Sequence, residues 1–223
     1  MHYRYERKFR VERLDAAQAR RLVLRHPGLF HEPYPPRFIN NLYLDTADLR
    51  SYHDNAAGAA DRHKVRVRWY GDPLEHVDRP VLEFKVKRGL VGKKHSFPIP
   101  EFGLRQGFDQ RALGRLLQSA ALPPAVRLHL RSLRVVLCNR YHRRYFVSSD
   151  GRFRITIDAQ MAYYRVKPHG GRFGAPFRDA RPIIVELKYD RDADSAADRI
   201  ANFFPFIVTR NSKYVTGIES VFF

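Results

Sequence analysis

Apolar and polar residues alternate with period two over much of the chain, at 3–11, 38–44, 62–70, 80–88, 94–99, 134–147, 152–158, 160–166 and 182–190. That period is the mark of β-strands, whose successive side chains point to opposite faces. Helical spacing is confined to shorter stretches. One covers 15–25 with Asp15 placed to cap it, and another covers 109–120 with Asp109 in the same role. The pair Pro123-Pro124 opens a further turn of helix, and 193–204 and 212–223 complete the set. Asp150-Gly151, between two alternating runs, predicts a hairpin. Other breaks fall at Pro33-Tyr34-Pro35-Pro36, Gly71-Asp72-Pro73 and His169-Gly170-Gly171. No linker or low-complexity stretch divides the chain, so one α+β domain over residues 1–223 is expected.

The polar faces of these strands are unusual because they are charged at strict two-residue spacing. Glu6 and Lys8 share a face in YERKF, Glu83, Lys85 and Lys87 in LEFKVK, and Glu186 and Lys188 in VELKY. Arg66 and Arg68 alternate with Val65, Val67 and Trp69, and Arg152 and Arg154 with Phe153, Ile155 and Ile157. Three of the eight glutamates and four of the nine lysines fall in the three E-x-K motifs, which a generally basic surface does not explain. Strands that share one charged face can close with that face inward and helices over the apolar faces, and closure also removes exposed sheet edges. The expected architecture is therefore a closed antiparallel β-barrel with flanking helices and a lumen lined by Lys, Arg and a few Glu.

Composition sharpens this picture. Forty-one Lys and Arg against 23 Asp and Glu give a net charge of +18, which calls for a polyanionic partner. Nucleic acid is disfavoured because the aromatic residues alternate onto the strand face opposite the charges. A cationic lumen needs an anion to fill it. A phosphate chain suits the excess of cations, and the few carboxylates suit a hard divalent cation such as Mn²⁺ or Mg²⁺. The single cysteine, Cys138, excludes an internal disulfide framework and a Cys-based zinc site, and its apolar neighbours mark it as an inert strand residue. No apolar run approaches the roughly 18 residues of a membrane span, and MHYRYERKFR has no signal-peptide core. A soluble, cytoplasmic protein is expected, and a membrane partner cannot be read from the sequence. His26, His31, His53, His63 and His129 show no metal-ligand spacing. Asp190, Asp192 and Asp194 follow a strand and precede a helix, which reads as N-capping.

Eight segments, in order along nearly the whole chain, carry a resemblance: YERKF (5–9), LYLDT (42–46), KVRVRWYG (64–71), LEFKVKRG (82–89), NRYHRRYF (139–146), RITID (154–158), VELKY (185–189) and SKYVTG (212–217). The chain resembles the catalytic domain of the vacuolar transporter chaperone (VTC) complex, the polyphosphate polymerase branch of the triphosphate tunnel metalloenzymes. The resemblance implies that Lys8, Arg66, Arg68, Lys85, Arg143, Arg154 and Lys213 contact phosphate. Lys94 and Arg210 match with looser flanks, and Arg210 stands where a lysine is expected. Lys87 and Lys188, on the same charged faces, are further substrate-binding candidates. Glu186 matches the metal-holding glutamate, with Glu6 and Glu83 as second candidates. Tyr43, Asp45 and Thr46 match a segment read as structural, through turn and capping contacts. Hydrolytic relatives, similar to the adenylyl-cyclase and thiamine-triphosphatase group, begin with E-x-E-x-K, whereas this chain has Arg4-x-Glu6-x-Lys8. The lost carboxylate weakens a two-metal hydrolase and favours transfer of the ATP γ-phosphoryl group to a growing phosphate chain. A metal-dependent tripolyphosphatase or nucleoside triphosphatase, and a non-catalytic polyphosphate-binding module, are the alternatives.

Overall fold

The computed structural model describes residues 4–71, 76–88, 91–104, 108–167, 171–179 and 181–223. The chain begins with β1 (Arg4–Val11), α1 (Ala16–Leu24), β2 (Arg37–Asp45), α2 (Arg50–Ala56) and β3 (Asp61–Tyr70). It continues through β4 (His76–Val77), β5 (Val81–Arg88), β6 (Val91–Pro98), β7 (Phe102–Gly103), α3 (Gln110–Ser119) and α4 (Pro124–Leu130). The last part holds β8 (Arg134–Val147), β9 (Phe153–Arg165), β10 (Phe177–Asp179), β11 (Ile183–Asp190), α5 (Asp194–Asn202) and α6 (Lys213–Phe222). Tyr3, Asp72, Pro73, Gly89, His169 and Gly170, which belong to expected strands, turns and segments, lie outside the described residues.

Contacts group the chain into two units, and the long strands β8 and β9 run through both. The first unit is Met1–Arg37, Tyr141–Met161 and Arg178–Asn211. Its strand order is β1-β11-β9-β8, antiparallel where β11 meets β1 and β9. One sheet face carries Phe9, Val11, Ile155, Ile157, Val185 and Leu187, packed with Ala19 and Val23 of α1 and Ala197 and Ala201 of α5. Burying an aliphatic side chain of this kind contributes roughly 1.5–3 kcal/mol. Helix α1 starts where expected: the Asp15 carboxylate accepts from the Gln18 amide while the Gln18 side chain accepts from the Asp15 amide.

The second unit is Phe38–Arg140, Ala162–Phe177 and Ser212–Phe223. Here the order continues β9-β8-β2-β3-β5-β6. Leu42, Leu44, Val65, Val67, Trp69, Leu82 and Phe84 pack with Leu113, Leu116 and Leu117 of α3 and Leu130 of α4. Asp109 caps α3 by accepting from the Ala112 amide at 2.8 Å. Helix α6 docks closely: a Cβ on Gly217 would meet Leu137 Cδ2 and Tyr163 Cδ1 at 2.6 Å, so only glycine permits that approach. No helix among the described residues is long and apolar enough to cross a membrane.

Three expectations are corrected, and a fourth difference is an element that was not expected. The strand order is open, with β1 at one end and β6 at the other, so the closed barrel is not formed among the described residues. The outer edge of β1 is taken by the segment after α5: Val208 bridges Phe9, and the Thr209 amide donates to the Lys8 carbonyl at 2.7 Å. The edge strand β6 carries Lys93 and Lys94, charges that discourage further pairing. Second, the runs at 152–158 and 160–166 form one strand, β9, in which Gln160 adopts φ 53° and resets the alternation. Odd positions 153–159 face the first core and even positions 162–166 the second. Third, Asp190, Asp192 and Asp194 make no side-chain cap, because the chain enters α5 through a 3-10 turn, Arg191–Ala193. Fourth, the short helix α2 carried no helical signal in the sequence.

Candidate functional site

In each unit, the sheet face turned away from that unit's apolar core is charged, as the alternation predicted. In the first unit, β1 and β11 place Lys8 across from Glu186 and Glu6 across from Lys188. On its other side, β11 places Glu186 across from Thr156 and Lys188 across from Arg154. The Lys188 ammonium donates to Glu186 at 2.8 Å and lies 3.5 Å from Glu6. Lys8 lies 3.8 Å from Glu186 and 3.9 Å from Glu6, and donates to the Asn211 carbonyl at 3.2 Å. Burial alone would push the Lys188 pKa down, but Glu186 and Glu6 outweigh it and hold the ammonium above its ordinary value, against opposition from Arg143.

Arg143, one of the expected phosphate contacts, is held by carboxylates. Its Nε and Nη2 donate to the two Asp158 oxygens at 2.5 and 2.6 Å, and Nη2 lies 3.4 Å from Glu186. Arg143 is 7% exposed and Asp158 fully buried. Burial opposes the charge, yet Asp158, Tyr141 and Glu186 hold the guanidinium well above its ordinary pKa. Arg154, by contrast, is exposed on the same face. The Thr156 hydroxyl, across from Glu186, is buried and without a hydrogen-bond partner.

In the second unit, successive rows of the charged face can be read off the register. One row is Tyr43, Arg66, Glu83 and Ser96 on β2, β3, β5 and β6. Arg66 donates to one Glu83 oxygen through Nε at 2.8 Å and through Nη2 at 2.7 Å. Arg68 lies 3.4 Å and Lys94 3.2 Å from the other oxygen. Burial would raise the Glu83 pKa, but Arg66 and Lys94 outweigh it and keep the carboxyl ionised below its usual range. Arg68 is also held by the Asn41 carbonyl at 3.3 Å, and the Asn41 amide donates to Asn139 at 2.8 Å. The next row is Lys64, Lys85 and Lys94, three lysines directly opposed on adjacent strands. Like charges directly opposite one another are destabilising, and an anion lying against this row would relieve them. Lys64 donates to the Ser212 hydroxyl at 2.9 Å, next to Lys213 at the start of α6.

The sequence-derived candidates thus fall into two sets. The first unit gathers Glu6, Lys8, Arg143, Glu186 and Lys188, with Arg154 beside Lys188; the second gathers Arg66, Arg68, Glu83, Lys85 and Lys94. Lys87 lies one row beyond Lys85, and Arg210 is an exposed residue of the first unit. Asp45 is structural, as read: its carboxylate accepts from the amides of Thr46, Ser51 and Tyr52 and from the Tyr214 hydroxyl. Sequence reasoning missed Asp158, Thr156, Asn41 and Lys64. The first two shared the visible alternation with Arg154. Cys138 is buried, which pushes its thiol pKa up to about 12 and leaves it inert.

Among the described residues no three His, Cys, Asp or Glu side chains meet closely enough to enclose a metal ion. Glu83 is ringed by three cations, Arg66, Arg68 and Lys94, and so is Glu186, by Lys8, Lys188 and Arg143. Glu186 and Glu6 share Lys8 and Lys188, and the orphaned Thr156 hydroxyl lies across from Glu186. What sets the Glu186 cluster apart is the second carboxylate and the buried hydroxyl, oxygen donors of the kind a hard divalent cation takes.

A profile of the VTC domain matches residues 3–222. No curated protein sequence matches the chain. Among solved structures, a Vibrio parahaemolyticus protein proposed to be an adenylate cyclase is similar at 13% identity and a TM-score of 0.51, over 96% of this chain and 97% of that one. A Pyrococcus horikoshii protein is similar at 13% identity and a TM-score of 0.56, over 97% and 99%. At these identities the likeness is one of fold.

Proposed function

Because the chain belongs to the VTC domain family, we propose that it is a phosphotransferase that moves the γ-phosphoryl group of ATP onto a growing inorganic polyphosphate chain. The observation that carries this reading is the row Lys64, Lys85 and Lys94 beside Arg66 and Arg68, a patterned cationic surface that suits a chain of phosphates. In the transfer, a terminal oxygen of the acceptor chain attacks the γ-phosphorus. The bond from that phosphorus to the β-bridging oxygen breaks, and ADP leaves. Little covalent chemistry is asked of the protein, so positioning and charge neutralisation dominate. Arg66 and Arg68, pre-ordered by Glu83 and Asn41, hold phosphoryl oxygens through planar forks. On the same face of the second unit Lys85 and Lys213 act as point charges; on the charged face of the first unit Lys8 does so and Arg154 adds a fork. A bound Mn²⁺ or Mg²⁺, held by Glu186 with Glu6, would neutralise charge on phosphate oxygens. Arg143, locked to Asp158, is proposed to fix the position of Glu186 rather than to grip substrate.

Arg4 stands where the hydrolytic pattern has a carboxylate, which favours phosphate over water as acceptor. The test is incubation with ATP and Mn²⁺, with gel analysis for polymer and a parallel assay for free phosphate. Polymer is expected. Free phosphate without polymer identifies a hydrolase, and neither product identifies a binding module.

A further inference from the structure

The charged face of the second unit does not end at the lysine row. Two residues further along β3 and β5, Arg62 lies directly across from Lys87, again like charge opposite like charge. At this end of the strands is a cavity of about 580 Å³, lined by Arg62 and Lys87 with Arg50, Ser51 and His129, and by His63 and Val86 from the opposite strand face. Arg62 is anchored there by donating to the Ala59 carbonyl at 2.5 Å and the Gly58 carbonyl at 3.4 Å. His63 Nε2 lies 3.2 Å from the Ser51 hydroxyl, and its ring is 5.0 Å from the His129 ring. Asp54 and Asp61 also line the cavity, but the three permanent cations outnumber them, and the two imidazoles add hydrogen-bonding nitrogens.

We propose that this cavity is an outer subsite for a long polyphosphate chain, engaged only by ligands that extend past the lysine row. The proposal rests on the reading of the charged faces as phosphate-binding. From Arg66 to Arg62 is four residues of strand, about 13 Å at a rise of about 3.3 Å per residue. A triphosphate seated at Arg66 and Arg68 is shorter than that and stops at the lysines; a longer chain continues along Arg62 and Lys87 into the cavity. A subsite of this kind holds polymer against dissociation between transfers without strengthening the grip on the nucleotide.

The test compares tripolyphosphate with long-chain inorganic polyphosphate by calorimetry, on the unaltered protein and on the Arg50→Gln/His129→Gln double variant. The double variant should lose about tenfold in long-chain affinity, as expected for lost charge-assisted contacts, and keep its triphosphate affinity. Arg62→Gln should behave likewise; if its melting curve shows that it does not fold, the double variant decides. Equal loss for both ligands, or no loss for the long chain, overturns the outer subsite. So does a single-stranded oligonucleotide that competes as well as polyphosphate of equal charge. If the unaltered protein binds neither phosphate ligand, it is the underlying reading of the charged faces that fails.

Discussion

Arg143 and Asp158 show how far a residue's role depends on its partner. Their fork-to-carboxylate contact is buried, so each charge offsets much of the other's loss of water. Arg143→Ala should destabilise the protein by about 3–5 kcal/mol, because it takes the paired guanidinium away from a buried carboxylate. Urea unfolding measures this, and a loss below about 1 kcal/mol, the range of an exposed pair, would show that the pair is not structural. The pairing of Arg143 with Asp158 was not legible in the sequence. Its partner lies on the neighbouring strand, and alternation reports the face a side chain occupies, never which charge it meets there. The same alternation did make Glu6, Lys8, Glu83, Lys85, Glu186 and Lys188 legible, because E-x-K at two-residue spacing can only share a face.

Among elements, His26 joins the end of α1 to the end of α5. Its Nδ1 accepts from the Gly28 amide at 2.8 Å, and Nε2 lies 3.2 Å from the Ile200 carbonyl, which fixes the neutral tautomer with the proton on Nε2. Burial among Phe30, Phe203 and Phe204 holds its pKa below the ordinary value, only partly opposed by the Ile200 carbonyl. Below a pH of about 6.5 the unfolded chain therefore binds a proton that the native state resists. This stability is fully present above about 6.5 and is lost as pH falls toward the folded value. The urea midpoint should drop between pH 7 and pH 5, and His26→Gln should show a shallower drop. An identical slope in the variant would rule His26 out as a source. Some slope should persist, since burial and then His63 shift His129 in the same direction. Helix starts at Asp15 and Asp109 were legible because cap and apolar face agree there. Helix α2 was not: it has seven residues, and its cap position, Leu49, sits in a left-handed conformation without a capping side chain.

At the scale of the whole molecule, +18 of net charge and two charged strand faces make the apo protein self-repelling. Triphosphate should raise the melting temperature by mass action, contributing about 2.7 kcal/mol at a hundredfold excess over Kd. A melting point indifferent to millimolar triphosphate would count against anion-filled faces. The open strand order was beyond the sequence, because nothing in the pattern announces that residues 208 and 209 cover the edge of β1. The central claim is that the strand arginines, not the basic surface at large, hold phosphate. The direct measurement is triphosphate affinity by calorimetry at physiological salt for two sets of variants. Arg66→Ala, Arg68→Ala and Arg154→Ala should each lose roughly 1.5–3 kcal/mol, about tenfold to a hundredfold in affinity. Arg21→Ala, Arg111→Ala and Arg115→Ala, exposed residues of α1 and α3, should lose almost nothing, because screened surface charge contributes weakly. Equal losses in the two sets would mean that binding is diffuse surface electrostatics, and would contradict the account.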